Sequence, residues 1–285
     1  MGRTEKYGLF SRYKIMEWNT IVDLLNAIIR DIKKERQYED PIKDGIFNIL
    51  EEKCTVIYYP FPEEKNRGFH LKKIVGNELR DFVYINTGKT IEQQVFTAAH
   101  EMGHVWNVSK KVRDLAINKG LEIGDIDDEK VTDRFAAELL MPTDMFIGCF
   151  DKHVREFNYG RMITLSQLLR LIAKLMDDFM SPFNAVRKRL FECGLLQDDK
   201  LQRYLKDNKV VHEKIINSFK QDDNSPINGT TGVKTISGLR DLVKKAEKSE
   251  GANVLLIKTV ISEFGIEDVE EEDSPNIEIN KRSIK

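Results

Sequence analysis

The segment Gln93–Asn107, QQVFTAAHEMGHVWN, holds the pattern His100-Glu101-Met102-Gly103-His104. Histidines four apart on a helix project from one face, one turn apart, so two imidazoles can reach one metal ion. Glu101, between them, can reach a water bound to that metal. Two ligands and a general base are the signature of a zinc peptidase. The flanking residues support a helix: no Pro interrupts Ile91–Val108, Thr90 and Gln93 have the spacing of a capping box, and Val95, Phe96 and Ala99 can bury one side. Two of the chain's five histidines fall in this motif. The alternative is an amphipathic helix with two surface histidines.

A catalytic zinc keeps three protein ligands and leaves a fourth position to water, so a third ligand should lie downstream. Asp128–Pro142 reads DEKVTDRFAAELLMP, with Glu129 and Asp133 one helical turn apart. In a His₂Glu site the glutamate binds metal, and a carboxylate one turn on can accept the other ring N–H of a ligand histidine and fix its tautomer. The competing reading is a solvated acidic helix start, since acids suit the positive end of a helix dipole.

Together, His100–His104 and the run from Glu129 through Asp133 to Phe135-Ala136-Ala137-Glu138-Leu139-Leu140-Met141-Pro142 resemble the ImmA/IrrE family of metallo-endopeptidases. The resemblance covers about residues 40–196. It implies Zn²⁺ held by His100, His104 and Glu129, Glu101 as the general base, and Asp133 orienting a ligand histidine. It also implies a protein substrate, typically a helix-turn-helix repressor of a mobile element or stress regulon. Two positions depart from the family pattern: Val131 stands where a second acid is frequent, leaving Glu129 as the aligned ligand, and Asp133 stands where Asn is common. Mn²⁺ or Co²⁺ would suit the same donor face, since availability takes part in metal selection.

Composition narrows the classes. Of 285 residues, 41% are hydrophobic, enough for a core, and the net charge of −2 carries no global basic excess that would point to nucleic acid. No apolar run is long enough to span a bilayer, and the first residues lack the apolar core of a secretory signal. Cys54, Cys149 and Cys193 are scattered without CxxC spacing and read as reduced thiols of a cytoplasmic protein.

The elements that must position the site follow from periodicity. Ile15–Glu35 carries a helical apolar stripe, and Pro41 to about Lys53 a second helix. Cys54–Tyr59, His70–Val75 and Asp81–Asn86 are strand-like, the last two joined by a Gly76-Asn77 turn, and predict a small antiparallel sheet before the HExxH helix. One of these strands could pair with an extended substrate. Thr164–Leu196 reads as two helices joined by a short turn. Arg187, Lys188 and Arg189 on the second would suit DNA recognition; a helical hairpin completing the domain is the reading preferred, because three basic residues neutralise few phosphates. His70 could line the cleft, His153 could approach the metal, and His212 lies in a charged helix and reads as surface.

The expected fold is α+β: a mostly helical zinc-peptidase domain with a small sheet packed by the HExxH helix, plus a helical C-terminal extension. The expected divisions are an N-terminal helix (1–40), the peptidase domain (41–197), a charged helix (198–220), a linker (221–236) and a small helical region with an acidic tail (237–285). The expected function is zinc-dependent endopeptidase action on a protein partner, without membrane association or direct DNA binding. The rivals are a regulatory or DNA-binding protein braced by metal, and a module that sequesters its partner without cutting it.

Overall fold

A computed structural model describes residues 3–36, 38, 40–62, 66–222, 229–249, 251 and 253–266. The chain divides into two compact units, residues 1–237 and 238–285.

The first unit is helical apart from one sheet. Helix α1 (Arg3–Arg36) buries Ile21, Leu24, Leu25, Ile28, Ile29 and Ile32, the stripe that the period of 3.6 predicts. Helix α2 (Gly45–Glu51) is shorter than expected and leads through a tight turn into β1 (Thr55–Tyr59). Strands β2 (Gly68–Val75) and β3 (Glu78–Asn86) form a hairpin whose turn has Gly76 at φ 64°, a left-handed conformation that suits glycine. The sheet order is β2-β3-β1 with a fourth strand, β4 (Thr235–Ile236), outside β1.

The antiparallel sheet expected from sequence is therefore a mixed one. β3 returns into the gap between β2 and β1 and runs parallel to β1, pairing Thr55 with Phe82 through Tyr59 with Asn86. That central position explains the burial of Val83 and Ile85 on β3 and of Val56 and Tyr58 on β1. A hairpin signal reports only the β2–β3 pairing; the parallel contact depends on a chain crossing that no local pattern encodes.

The second departure lies in the segment read as a linker. Its last residues close the sheet. β4 pairs antiparallel with β1, Val56 N–H donates to Ser237 Oγ at 2.8 Å, and Thr87 Oγ1 donates to the Val233 carbonyl at 2.7 Å. The strap also reaches helix α3 (Ile91–Val105): Ile91 N–H donates to the Gly229 carbonyl at 2.9 Å, and Thr90 bridges Thr230. This replaces the capping box expected at Thr90 and Gln93. Thr90 has the extended backbone of an N-cap, but its side chain makes no cap hydrogen bond, and the helix's first N–H is satisfied from another segment.

Beyond α3, Asn107 takes a left-handed conformation and the chain turns into α4 (Val108–Asn118). Helix α5 (Asp128–Leu140), capped by Asp127, crosses back over α3. Helices α6 (Thr143–Glu156), α7 (Leu165–Phe179) and α8 (Phe183–Glu192) complete the core, with Phe135, Phe146, Phe179 and Phe183 almost wholly buried. The single charged helix expected at 198–220 breaks at Asn208 into α9 (Asp199–Asp207) and α10 (Lys209–Asp222). α10 packs on α7 and buries Ile216 together with His212. His212 is thus a core residue, not a surface one, with its ring between Phe183 and Tyr204.

The second unit consists, in its described part, of α11 (Leu239–Glu247) and α12 (Val254–Phe264), the latter capped by Asn253. The acidic tail of the sequence, 267–285, lies outside the described residues. Among those described, no helix is long and apolar enough to cross a membrane.

Candidate metal centre

Helix α3 lies against the sheet with Val95, Ala98, Ala99 and Met102 fully buried. Two glycines set its position. A Cβ on Gly68 would stand 2.5 Å from Thr97 Cγ2 and 2.6 Å from the Tyr84 carbonyl oxygen, so only glycine lets β2 come this close to α3. A Cβ on Gly103 would stand 2.6 Å from Thr132 Cγ2 and 3.1 Å from Phe135 Cδ1, so Gly103 lets α3 and α5 touch. That contact matters because His100 and His104 ride on α3 while Glu129 and Asp133 ride on α5. Gly103, inside the HExxH motif, is thus the contact point of the two helices.

The crossing brings the predicted ligands to one point. His100 Nε2 and His104 Nε2 are 3.2 Å apart. Glu129 Oε2 is 3.3 Å from His100 Nε2, and Glu129 Oε1 is 3.4 Å from His104 Nε2. A tetrahedral ion with bonds of about 2.0–2.1 Å sets its ligand atoms about 3.3 Å apart. These separations, one to each Glu129 oxygen, have that size, and among the described residues this trio is the cluster of His, Cys, Asp and Glu able to hold a metal.

Asp133 Oδ1 accepts a hydrogen bond from His100 Nδ1 at 3.0 Å, which leaves the Nε2 lone pair facing the centre of the trio. The other Asp133 oxygen lies 4.0 Å from Lys188 Nζ on α8. Burial favours the neutral imidazole of His100, but the Asp133 hydrogen bond and the charges of Glu101, Asp133 and Glu129 outweigh it and raise its pKa. Burial and the His100 charge lower the pKa of His104. Burial would raise the Asp133 carboxyl, but the His100 hydrogen bond, with the charges of His100, Lys188 and Arg67, brings it below its ordinary value.

Glu101 is only 6% exposed although it flanks the cluster. Burial lifts its pKa to about 7; the His100 charge works against the shift and that of Glu129 adds to it. A carboxylate poised near neutrality beside convergent metal donors can take a proton and give it back.

The remaining histidines divide. His70 on β2 stacks on His104, ring centroids 6.4 Å apart, and its Nε2–H donates to Asp81 at 2.5 Å. It borders the cluster. His153, weighed as a residue that could approach the metal, bonds Glu156 at 2.9 Å and Asp178 on α7 at 2.6 Å, and so ties α6 to α7. The basic run on α8 is largely internal. Arg187 and Arg189 are buried and only Lys188 is exposed, so this helix does not present the cationic face that phosphate contact requires.

A helix bearing two histidines and a carboxylate, crossed by a second helix bearing two more carboxylates beside a small sheet, is the architecture of a metallopeptidase-type domain. Residues 51–191 match the Peptidase M78 family, described as the IrrE N-terminal-like domain, and this domain of the chain belongs to that family of metallopeptidases. The matched segment runs from the end of α2 through α8 and includes every residue of the trio. No curated protein and no solved structure matches the chain.

Proposed function

We propose that the chain is a zinc-dependent endopeptidase that hydrolyses a peptide bond in a dedicated protein partner. The observation that carries this reading is the convergence of His100 Nε2, His104 Nε2 and the two Glu129 oxygens, with separations of 3.2, 3.3 and 3.4 Å, and buried Glu101 beside them. Two imidazoles and one carboxylate are a borderline-soft, tetrahedral donor set that suits zinc. Zinc bound there would polarise the scissile carbonyl and make water acidic enough to attack it near neutral pH.

The chain's own residues do the rest. Glu101 removes a proton from the attacking water and delivers it to the leaving amine nitrogen. Asp133 holds the Nδ1–H tautomer of His100, and Lys188 holds Asp133. β2 supplies a place for the substrate backbone. Among the described residues no strand pairs with its outer edge, whereas β4 covers the opposite edge of the sheet. An extended peptide can add to such an edge through main-chain hydrogen bonds. Resemblance to the ImmA/IrrE peptidases supports a helix-turn-helix repressor as the protein cut.

The test is cleavage in a native protein extract, with new N-termini read by mass spectrometry. The zinc-loaded chain should give a small number of discrete cuts that disappear in Glu101→Gln and on chelation. The same cuts surviving in Glu101→Gln would contradict the assignment.

A further inference from the structure

A groove of about 720 Å³ begins at Asp133, the partner of His100 Nδ1, and runs on over α5, α8 and α9. Seven of its sixteen lining residues are Lys or Arg and two are acidic, in a chain whose net charge is −2. Part of this charge is already answered at home. Arg134 pairs with Glu138 and Glu192, Lys130 with Asp127, and Lys209 with Glu213. Arg67, Arg187 and Lys206 have no carboxylate within ion-pair distance among the described residues.

Arg187 is the anomaly. Its side chain is 5% exposed, its Nε has no hydrogen-bond partner, and its one polar contact is a long 3.5 Å bond from Nη1 to the Gln202 carbonyl. A buried guanidinium ordinarily has its five donors met by a carboxylate or by backbone oxygens, because leaving them dry is costly. Arg189, two residues on, has such partners: the Met141 carbonyl, Thr143 and both oxygens of Glu138. Burial holds the Arg187 pKa below its usual value with no neighbouring acid to offset it.

We propose that this groove is the substrate subsite flanking the scissile bond, that it takes an acidic segment of the partner protein, and that Arg187 receives one of its carboxylates. The assignment rests on the endopeptidase reading above for the word substrate, but the binding itself requires no chemistry. Three features favour a peptide over nucleic acid. The groove reaches Asp133, which bonds the proposed ligand His100, so a peptide cut at the metal centre can continue into it. Trp18, Phe96, Pro182 and Ala185 share its wall with the cations, giving apolar places for side chains beside the acids. Arg187 also lies in the wall as a largely buried cation, a place suited to a single recessed side-chain carboxylate rather than to a continuous phosphate backbone. A planar guanidinium with an unpaired edge matches a carboxylate with two parallel hydrogen bonds.

The experiment is fluorescence anisotropy on the full chain carrying Glu101→Gln, so that nothing is consumed. The probes are a short labelled peptide with glutamates spaced among apolar residues, its glutamine counterpart, and a single-stranded oligonucleotide of similar length. The acidic peptide should bind at least about tenfold more tightly than the glutamine version, and binding should weaken with salt. Arg187→Met, which keeps the buried stem, should cost about tenfold or more. The exposed pair Arg67→Gln and Lys206→Gln should each cost about two- to fivefold, and Lys111→Gln on α4 should cost nothing. Equal binding of the two peptides, binding indifferent to Arg187 and the exposed pair alike, or preference for the oligonucleotide would each overturn the proposal. Should Arg187→Met fail to fold, the exposed pair decides it. Acidic-peptide binding that depends on these residues, in a wild-type chain that cuts no protein, would keep the groove as an acidic-partner site and overturn the endopeptidase reading instead.

Discussion

Helix α5 carries a charged cluster at each end, and the two are built to opposite rules. Near its C-terminus the Glu138 side chain is 1% exposed and shares its oxygens with Arg134, Arg189 and Thr143, while Arg189 also reaches the Met141 carbonyl. Every strong donor there finds an acceptor, and the cluster ties α5 to α8. Near its N-terminus the Glu129 side chain is 72% exposed, and its two oxygens face the unshared nitrogens of two histidines. The two Nε2 atoms and the Glu129 oxygens stand 3.2–3.4 Å from one another, the spacing of ligand atoms around one small cation. Charge clustering alone distinguishes neither a site nor a brace. Burial and cross-helix bonding do: the closed cluster is buried and bonded across helices, and the open one has the exposure and spacing of the metal site we propose.

The contrast can be broken by variants at either end. Glu138→Ala should have the largest effect, destabilising the fold by about 3–5 kcal/mol because it strands a buried Arg189. Denaturant unfolding would show it, and a loss under about 1 kcal/mol would mean that the brace is not one. Glu101→Gln should lower cleavage by about 10²–10⁴-fold while leaving the unfolding midpoint unchanged, the reverse pattern. Asp133→Ala should weaken metal affinity by about 10–100-fold with the fold intact, read by zinc titration. Gly103→Ala links the two ends: the added methyl pushes α3 from α5, costing about 1–3 kcal/mol and weakening metal binding together.

The smallest effect is expected at Cys54, part-buried and a member of neither cluster. Burial, with the charges of Asp81 and Glu51, pushes its pKa up to about 12. The folded chain keeps a proton that the unfolded chain releases near pH 9, so this contribution to stability is full below pH 9 and is lost as pH rises to about 12. Below pH 9 the thiol should alkylate far more slowly in the folded chain than in the unfolded one. Equal rates would show that β1 does not shield it.

Much of the open cluster was legible in the sequence. HExxH spacing fixes two donors on one helix face, and the Glu129–Asp133 spacing, read with the family resemblance, supplies the other two residues. The closed cluster was not legible, because Arg187 and Arg189 look like a basic surface when only their order is known. Burial of an arginine depends on a partner 51 residues away, as with Glu138 and Arg189. The strap at 229–237 was hidden for a related reason. Its Gly, Thr and Lys residues have the composition of a loop, and it becomes an edge strand only because β1 leaves backbone groups for it to meet. Apolar periodicity recovered the helices well, since that pattern and the burial it reports lie in the same few turns, as in α7 (Leu165–Phe179), the first of the two helices expected within Thr164–Leu196. His212 failed the same test: it lies in a charged helix and reads as surface, yet its ring packs against Phe183 of α8 and Tyr204 of α9.

The central claim is that α3 and α5 hold one metal between them. Elemental analysis of the purified chain beside His100→Ala, Glu129→Ala and Glu101→Gln tests it most directly. The account predicts about one zinc per chain, retained in Glu101→Gln and lost or sharply reduced in the other two. A chain that takes up no metal when zinc is supplied, or that keeps it undiminished in both ligand variants, would contradict it.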